Sequence, residues 1–449
     1  MPARPQQPPR GQGPTDTSTS LLLAMTASVA ERGYRATSVA DVIKRSGTAR
    51  STFYTRFTDK EQCFLAAHAA ILAVMVERMS RPERLTGTTD ERAQTLVRLL
   101  FETVAAEPDA ARVALIESRS AGDAARAQHR EALRSLHALT LHAFGVARKP
   151  SPTARMVAAG VCGSLEILLI DHIRDDRLAE LPAISEDVAR WVASFAPLMG
   201  ANAPPPPEAP VRRPSRRRGQ APGTLVPVAP SGRRGLPPGP KREPRDFVAH
   251  NVRDRLLDAV AAVTARDGYD ALTVASVVAE AATSRRSFYE HFSSIPEAFR
   301  AAIALGAEGA IAATLLAFGS RSDWREGFVA GLQAFTEFLA EEPTYSAVAL
   351  VEVVSAGGDA IAERDRAIGT FVAMMAAAFR IAPLRDGIGA ELEAQLAVGL
   401  VLALCADEIA AGRGMKLPEM APAIARLALT PPVGDADALA AVTAVSNDD

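Results

Sequence analysis

Two short stretches of this chain hold side chains suited to gripping another molecule. Residues 48–57 read Thr-Ala-Arg-Ser-Thr-Phe-Tyr-Thr-Arg-Phe, and residues 283–292 read Thr-Ser-Arg-Arg-Ser-Phe-Tyr-Glu-His-Phe. Written as a helix, each stretch turns its two Phe residues, Phe53 and Phe57 or Phe288 and Phe292, to one face at i, i+4 spacing. That leaves Arg50, Ser51, Thr52 and Tyr54 pointing outward in the first stretch. In the second it leaves Ser284, Arg285, Arg286, Ser287 and Tyr289. Guanidinium groups can reach guanine acceptors or phosphates, and hydroxyls can bond to either. Those are the contacts that give affinity and sequence choice on duplex DNA.

Such a face works only if short helices hold it. A helix from about Thr17 to Arg32 carries Leu22, Met25 and Val29 at helical spacing, and Gly33 is placed to end it as a left-handed cap. Ser38 stands at an N-cap, with Val39, Val42 and Ile43 behind it on one face. Gly47 supplies a tight turn, and a third helix follows at about 49–56. In the second stretch the cap is Thr273 and the turn holds Ala282 and Thr283. Two short helices, a tight turn and a basic, hydroxyl-rich outer face describe a helix-turn-helix. The helix starts at Ser38 and Thr273 also offer backbone donors to phosphate.

The two stretches belong to one pattern used twice. An offset of 235 pairs Gly33 with Gly268, Tyr34 with Tyr269, Phe53 with Phe288, Tyr54 with Tyr289 and Phe64 with Phe299, without a gap. The same offset pairs Glu107-Pro108 with Glu342-Pro343, and Glu117 with Glu352. A register held that long is an internal duplication.

On these residues the chain resembles the TetR family of transcriptional regulators. The family pattern at the recognition helix ends in apolar-Tyr-x-x-Phe followed by x-x-Lys-Glu, and 59–62 here read Asp-Lys-Glu-Gln. The second half departs from it, with Ile295 in place of the Lys and Ala282 in place of the turn Gly. The resemblance implies an all-α fold of two units, each a helix-turn-helix followed by a helical part that binds a small ligand and dimerises through its last two helices. It implies phosphate contacts from Tyr54, Tyr289 and Lys60. It also implies double-stranded DNA as partner and a small-molecule effector, expected to be apolar because the helical parts are rich in Leu, Val, Ile, Ala and Phe.

Composition sets the remaining bounds. Residues 201–246 hold ten Lys/Arg and three acids, a net +7 that leaves −9 for the rest of the chain. Their Pro and Gly content forbids a packed core, so they read as a linker. Arg216-Arg217-Arg218-Gly219 is only a partial likeness of an AT-hook. The expected organisation is a disordered arm at 1–16, a DNA-binding domain at 17–64 and a regulatory domain at 65–200. After the linker come a second DNA-binding domain at 247–299, a second regulatory domain at 300–430 and a disordered tail at 431–449. Cys63, Cys162 and Cys405 are far apart and have no metal or redox spacing, which points to reduced thiols in the cytoplasm. No secretory leader is visible, and the most apolar segments carry charges such as Glu166, Asp171, Asp407 and Glu408, so no membrane partner is expected.

His129, His137 and His142 do not share a metal-binding helix face, and no metal or cofactor is expected. Glu117 and Glu352 sit amid apolar residues, where each could bond a ligand or serve the structure. No Gly-rich phosphate loop, nucleophile elbow or paired carboxylates appear, so a non-enzyme is expected. The rival readings are a DNA-architectural protein without a ligand and an enzyme in the helical parts. For assembly, a 46-residue linker spans roughly 35–40 Å. The two units are therefore expected to pair within one chain as a pseudo-dimer, with a homodimer of chains as the alternative.

Overall fold

In the computed structural model, residues 17–80, 86–146, 149–200, 245–381, 384–385 and 387–448 are described. Every element among them is helical. The expected N-terminal arm and the linker up to residue 244 lie outside the described residues.

The first repeat runs α1 (Thr17–Arg32), α2 (Val39–Ser46), α3 (Arg50–Arg56), α4 (Lys60–Met79) and α5 (Thr89–Ala106). A broken segment follows: α6 (Pro108–Arg112), a π-helical turn over Val113–Glu117 and α7 (Ser118–Ser120). The repeat closes with α8 (Asp123–Ala143), α9 (Pro152–Arg174), α10 (Leu181–Ala193) and α11 (Ala196–Met199). The second repeat copies the order with α12 (Arg245–Asp267), α13 (Val274–Glu280), α14 (Arg285–His291), α15 (Ile295–Phe318) and α16 (Trp324–Glu341). Then come α17 (Pro343–Ala347), a second π-helical turn over Val348–Glu352, α18 (Val353–Ala356), α19 (Gly358–Ile381), α20 (Ala390–Ala410), α21 (Leu417–Val433) and α22 (Asp435–Asp448). Prolines mark the starts of α6, α9, α10, α11, α15, α17 and α21, where the missing N–H costs nothing.

The chain divides into two compact units whose border does not follow the repeat boundary. One comprises residues 1–80 and 102–133, the other 81–101 and 134–449. The stretch expected as one regulatory domain, 65–200, contributes to both units. Val113, Ala121 and Ala125 are buried in the same core as Leu21, Met25, Val29, Phe53 and Phe64, so the segment around the π turn belongs with the first head. In the other unit Leu256, Val260, Phe288, Phe299, Tyr345 and Val348 form the matching core.

The C-terminus also differs from expectation. Residues 431–449 were expected to be a disordered tail, yet α21 continues through Pro431 and Pro432 to Val433, and Gly434 turns the chain at φ +90° into α22. Ala438, Ala441, Val442 and Val445 recur at helical spacing and are buried, which is enough apolar surface to fix a last helix on α21 and α16. Arg426, fully buried in α21, makes a paired contact with Asp435 at 2.7 and 2.8 Å and so ties α22 down.

Within the same unit α9 packs along α20. The approach is close because small residues line it. A Cβ on Gly160 would lie 2.9 Å from Leu400, and one on Gly163 would lie 2.3 Å from Ala403. Ser164 donates to the Leu396 carbonyl at 2.8 Å. Beside this seam Arg174 pairs with Asp365 of α19. The last long helix, α21, instead takes α16, α20 and α22 as its main neighbours. The penultimate helices α9 and α20 thus form a close seam between the repeats, and the terminal helices α10 and α21 both contribute to one cavity lined by Ala189, Arg190, Thr430 and Pro431.

Among the described residues three helices, α4, α9 and α15, are long and apolar enough to cross a membrane by length and composition. The apolar window of α9 is 72% buried in the protein, as expected of an interface helix. The cysteines are buried thiols, and burial pushes each up to about 12, which keeps them unreactive.

Candidate nucleic-acid interface

In the first head, Ser38 caps α2 in a full capping box. Its side chain accepts from the Asp41 N–H, and Asp41 accepts in turn from the Ser38 N–H at 2.9 Å. Arg32, the last residue of α1, pairs with Asp41 at 2.8 Å. The hydrogen bonds from Ser38 hold the Asp41 carboxyl below its ordinary range, so it stays ionised. Gly47 then turns the chain at φ +68°, a conformation that favours glycine. Helix α3 follows, pinned by the buried Phe53 ring.

Phe53 meets Tyr54 edge-on at 5.3 Å and thereby orients it outward, with 46% of its surface exposed. The Arg50 guanidinium lies 5.6 Å from the Tyr54 ring centroid, so the two stand as one exposed pair a helical turn apart. Ser51 is exposed and Thr52 half-buried. Lys60 is partly committed elsewhere: its ammonium donates to the Tyr34 carbonyl at 2.9 Å and lies 4.2 Å from the Tyr34 ring centroid. Burial there lowers its pKa, and one of its three donors is used within the head.

The second head repeats the plan with different parts. Thr273 caps α13 in a capping box with Ser276. Ala282, at the position of Gly47, holds φ +48°, a left-handed conformation that a Cβ makes costly. Arg255 compensates by donating to the carbonyls of Ala281 and Ala282. Ser284 caps α14, accepting from the Ser287 N–H at 3.1 Å, and the two hydroxyls lie 3.0 Å apart. These hydroxyls thus serve the helix start first. Arg286 pairs with Glu290 at 3.0 Å, which leaves Arg285 and the 60%-exposed Tyr289 as the counterparts of Arg50 and Tyr54.

Sequence reasoning missed what meets the joint after the first helix of each repeat. The Glu117 carboxylate, on the π turn, accepts from the Tyr34 backbone N–H at 2.9 Å, directly after Gly33. In the second repeat the Glu352 carboxylate lies beside Gly268, the equivalent of Gly33. The signal was present in the matched glutamates, but not their destination. Among the described residues no group of three His, Cys, Asp or Glu side chains is placed to hold a metal ion.

The model for bacterial regulatory proteins of the tetR family matches this chain twice, at residues 21–67 and 256–302. A curated relative, the fatty acid metabolism regulator protein of Bacillus subtilis (strain 168), is 22% identical over 171 residues, covering 37% of this chain and 88% of its own length. Among solved structures the chain is similar to the fatty acid degradation regulator FadR from Bacillus halodurans, at 20% identity and a TM-score of 0.36 over 40% of this chain and 97% of that one. It is also similar to FadR from Bacillus subtilis in complex with stearoyl-CoA, at 20% identity and a TM-score of 0.36 over 39% and 97%.

Proposed function

Because this chain is a tandem regulator of the tetR family, with two DNA-binding domains of that family in one polypeptide, we propose that it represses transcription by seating both heads on one operator and leaves that operator when a small apolar ligand binds. The observation that carries this reading is the repeated outer face, Arg50 with Tyr54 on α3 and Arg285 with Tyr289 on α14, each backed by a buried Phe and a capped preceding helix. The packing of α9 along α20 supports a pseudo-dimer of the two repeats, so one chain presents two heads. The heads differ at their reading positions, and the operator is therefore an imperfect palindrome with half-sites about 34–36 Å or a multiple apart. A relative that regulates fatty acid metabolism is in keeping with an apolar effector. The protein acts as a cytoplasmic regulator and not as an enzyme.

Selection of bound duplexes from a random pool near physiological salt tests the reading. A preferred operator, bound about 10³-fold or more tighter than random DNA, is expected. Arg50→Ala weakens its binding by about 1–3 kcal/mol if the guanidinium meets a base, and Tyr54→Phe weakens it less. Equal binding to all sequences would favour an architectural protein, and wild-type affinity in both variants would remove α3 from the interface.

A further inference from the structure

Two apolar cavities lie inside the second repeat, among α15, α16, α19 and α20. One is lined by Phe318, Phe328 and Gly331, the other by Gly306, Phe338 and Tyr345, and they share Phe335, Phe371 and Leu402 as a common wall. Phe335 and Phe371 meet there edge to face, with centroids 5.5 Å apart. Counting the open space at their mouths, the two span about 460 and 490 Å³. Both are narrow, with interiors of about 50 Å³ in each.

The polar atoms of these walls are already engaged by the protein. Thr314 donates to the Ala310 carbonyl at 2.7 Å and Ser346 to the Leu339 carbonyl at 3.0 Å. Arg364 is held by Asp365 at 2.6 Å. The Tyr345 hydroxyl donates to Asp258 of α12 at 2.8 Å. A ligand is therefore offered carbon surface, and two small apolar cavities that share the wall of Phe335, Phe371 and Leu402 suit a flexible linear hydrocarbon chain that can occupy both.

The first repeat is built differently at the same positions. Helices α5 and α16 correspond residue for residue at the offset of 235, as do α6 and α17. Where the second repeat has Phe328, Phe335, Tyr345 and Phe371, the first has Ala93, Leu100, Ala110 and Leu136. The positions of Tyr345 and Asp258 are Ala110 and Leu23, so the bond from cavity wall to head has no counterpart there. Tyr345 also packs against Gly306, whose added Cβ would come within 3.2 Å of its ring. The ring thus stands between the cavity and the first helix of the second head.

We infer that the second repeat alone holds the effector site, an aromatic-walled channel for one linear hydrocarbon chain per polypeptide, and that Tyr345 transmits its occupancy to the second head through Asp258. This deepens the regulator reading and rests on it for the transmission, though not for the binding. An incoming chain parts Phe335 from Phe371 to join the cavities and presses on Tyr345. Losing the Tyr345–Asp258 bond releases α12, the helix against which α13 and α14 pack.

The test uses the full chain and cis-parinaric acid, a straight-chain fatty acid that fluoresces in apolar surroundings, with its methyl ester as an uncharged companion. Saturation at one probe per chain is expected. Filling the channel by Ala307→Phe or Leu402→Trp weakens probe binding by about tenfold or more, and either variant suffices if the other does not fold. Leu72→Phe, at the equivalent of Ala307 in the first repeat, leaves binding unchanged. Tyr345→Phe still takes up one probe with near wild-type affinity. It loses the probe's effect on affinity for pool-selected DNA, an effect expected at about 5–150-fold in the wild type. Two probes per chain, no saturable binding, or binding untouched by both filling variants would overturn the site. A Tyr345→Phe chain whose DNA affinity still responds fully would overturn the transmission. Absence of any DNA preference would instead overturn the regulator reading, with the probe stoichiometry still legible.

Discussion

The carboxylate of Glu117 holds the backbone N–H of Tyr34 across 83 residues of chain, and the carbonyl of the same Tyr34 holds the ammonium of Lys60. One peptide segment after Gly33 is thus gripped from the π turn and from the start of α4. A π-helical turn inserted in an α-helical run is a local departure that often accompanies function, and this one aims a carboxylate at the joint between α1 and α2. Glu117→Ala leaves that amide without its partner and is expected to cost about 1–3 kcal/mol of stability in the first head. Hydrogen exchange at the Tyr34 amide should accelerate while exchange in α20 stays unchanged. Equal protection of the Tyr34 amide in the variant would show that the bond does not hold the joint.

Ala282 invites the opposite test. Its left-handed φ of +48° carries a steric cost of about 1–2 kcal/mol for a residue with a Cβ. Ala282→Gly removes that cost and adds back about 0.5–1 kcal/mol of unfolded-chain entropy, so the second head should gain up to about 1 kcal/mol. Arg255→Ala, which strips the turn of its two carbonyl contacts, should lower stability instead. Denaturant midpoints of the full chain, read beside Tyr269 exchange, distinguish these; a loss of stability in Ala282→Gly would refute the strain.

The seam between α9 and α20 depends on glycine. Gly163→Leu places a side chain where a Cβ alone would sit 2.3 Å from the Ala403 Cβ, so the two helices must move apart to admit it. Overpacking of this kind costs typically about 1–3 kcal/mol or more. Light scattering in dilute solution should give the mass of one chain for the wild type. The variant should show an expanded monomer or chains paired with one another. A wild-type mass of two chains, with a strictly symmetric selected operator, would refute intrachain pairing.

Asp171 on α9 and Asp407 on α20 occupy corresponding positions in the two repeats. Burial pushes both carboxyls up to about 6, helped by the charge of Asp365 at Asp171 and of Glu166 at Asp407. The folded chain therefore keeps protons that the unfolded chain releases near pH 4. Stability from these groups is fully present below about pH 4 and is lost as pH rises through about 6. Asp171→Asn removes the charge and should stabilise the chain at neutral pH by at most about 3 kcal/mol, the worth of a two-unit shift. At pH 4 the gain should vanish. A gain independent of pH, in paired thermal scans, would argue that ionisation is not its source.

The local grammar of the heads was readable from the sequence because it rests on residues with narrow backbone preferences. Gly33 and Gly47 sit at positive φ, Ser38 and Thr273 cap, and prolines open seven of the described helices, as their chemistry dictates. What was hidden depends on long-range placement. Residues 431–449 read as a disordered tail, yet α21 runs on through Pro431 and Pro432, and buried Ala and Val residues continue the chain as α22. The turning of Lys60 onto Tyr34, the seating of Glu117 and the close packing of α9 along α20 all follow from distances in space that no period in the sequence encodes.

Joining α9 to α20 inside one polypeptide changes how such a regulator responds to its own abundance. A protein that must first find its twin fills its operator as the square of its concentration when dilute, and a damaged copy poisons the pairs it enters. On the proposed intrachain pairing, one chain would fill its operator in simple proportion, even at a few molecules per cell, and a defective copy would harm nothing but itself. It also frees each half to change alone, since a substitution in one head alters one half-site and leaves the other as it was.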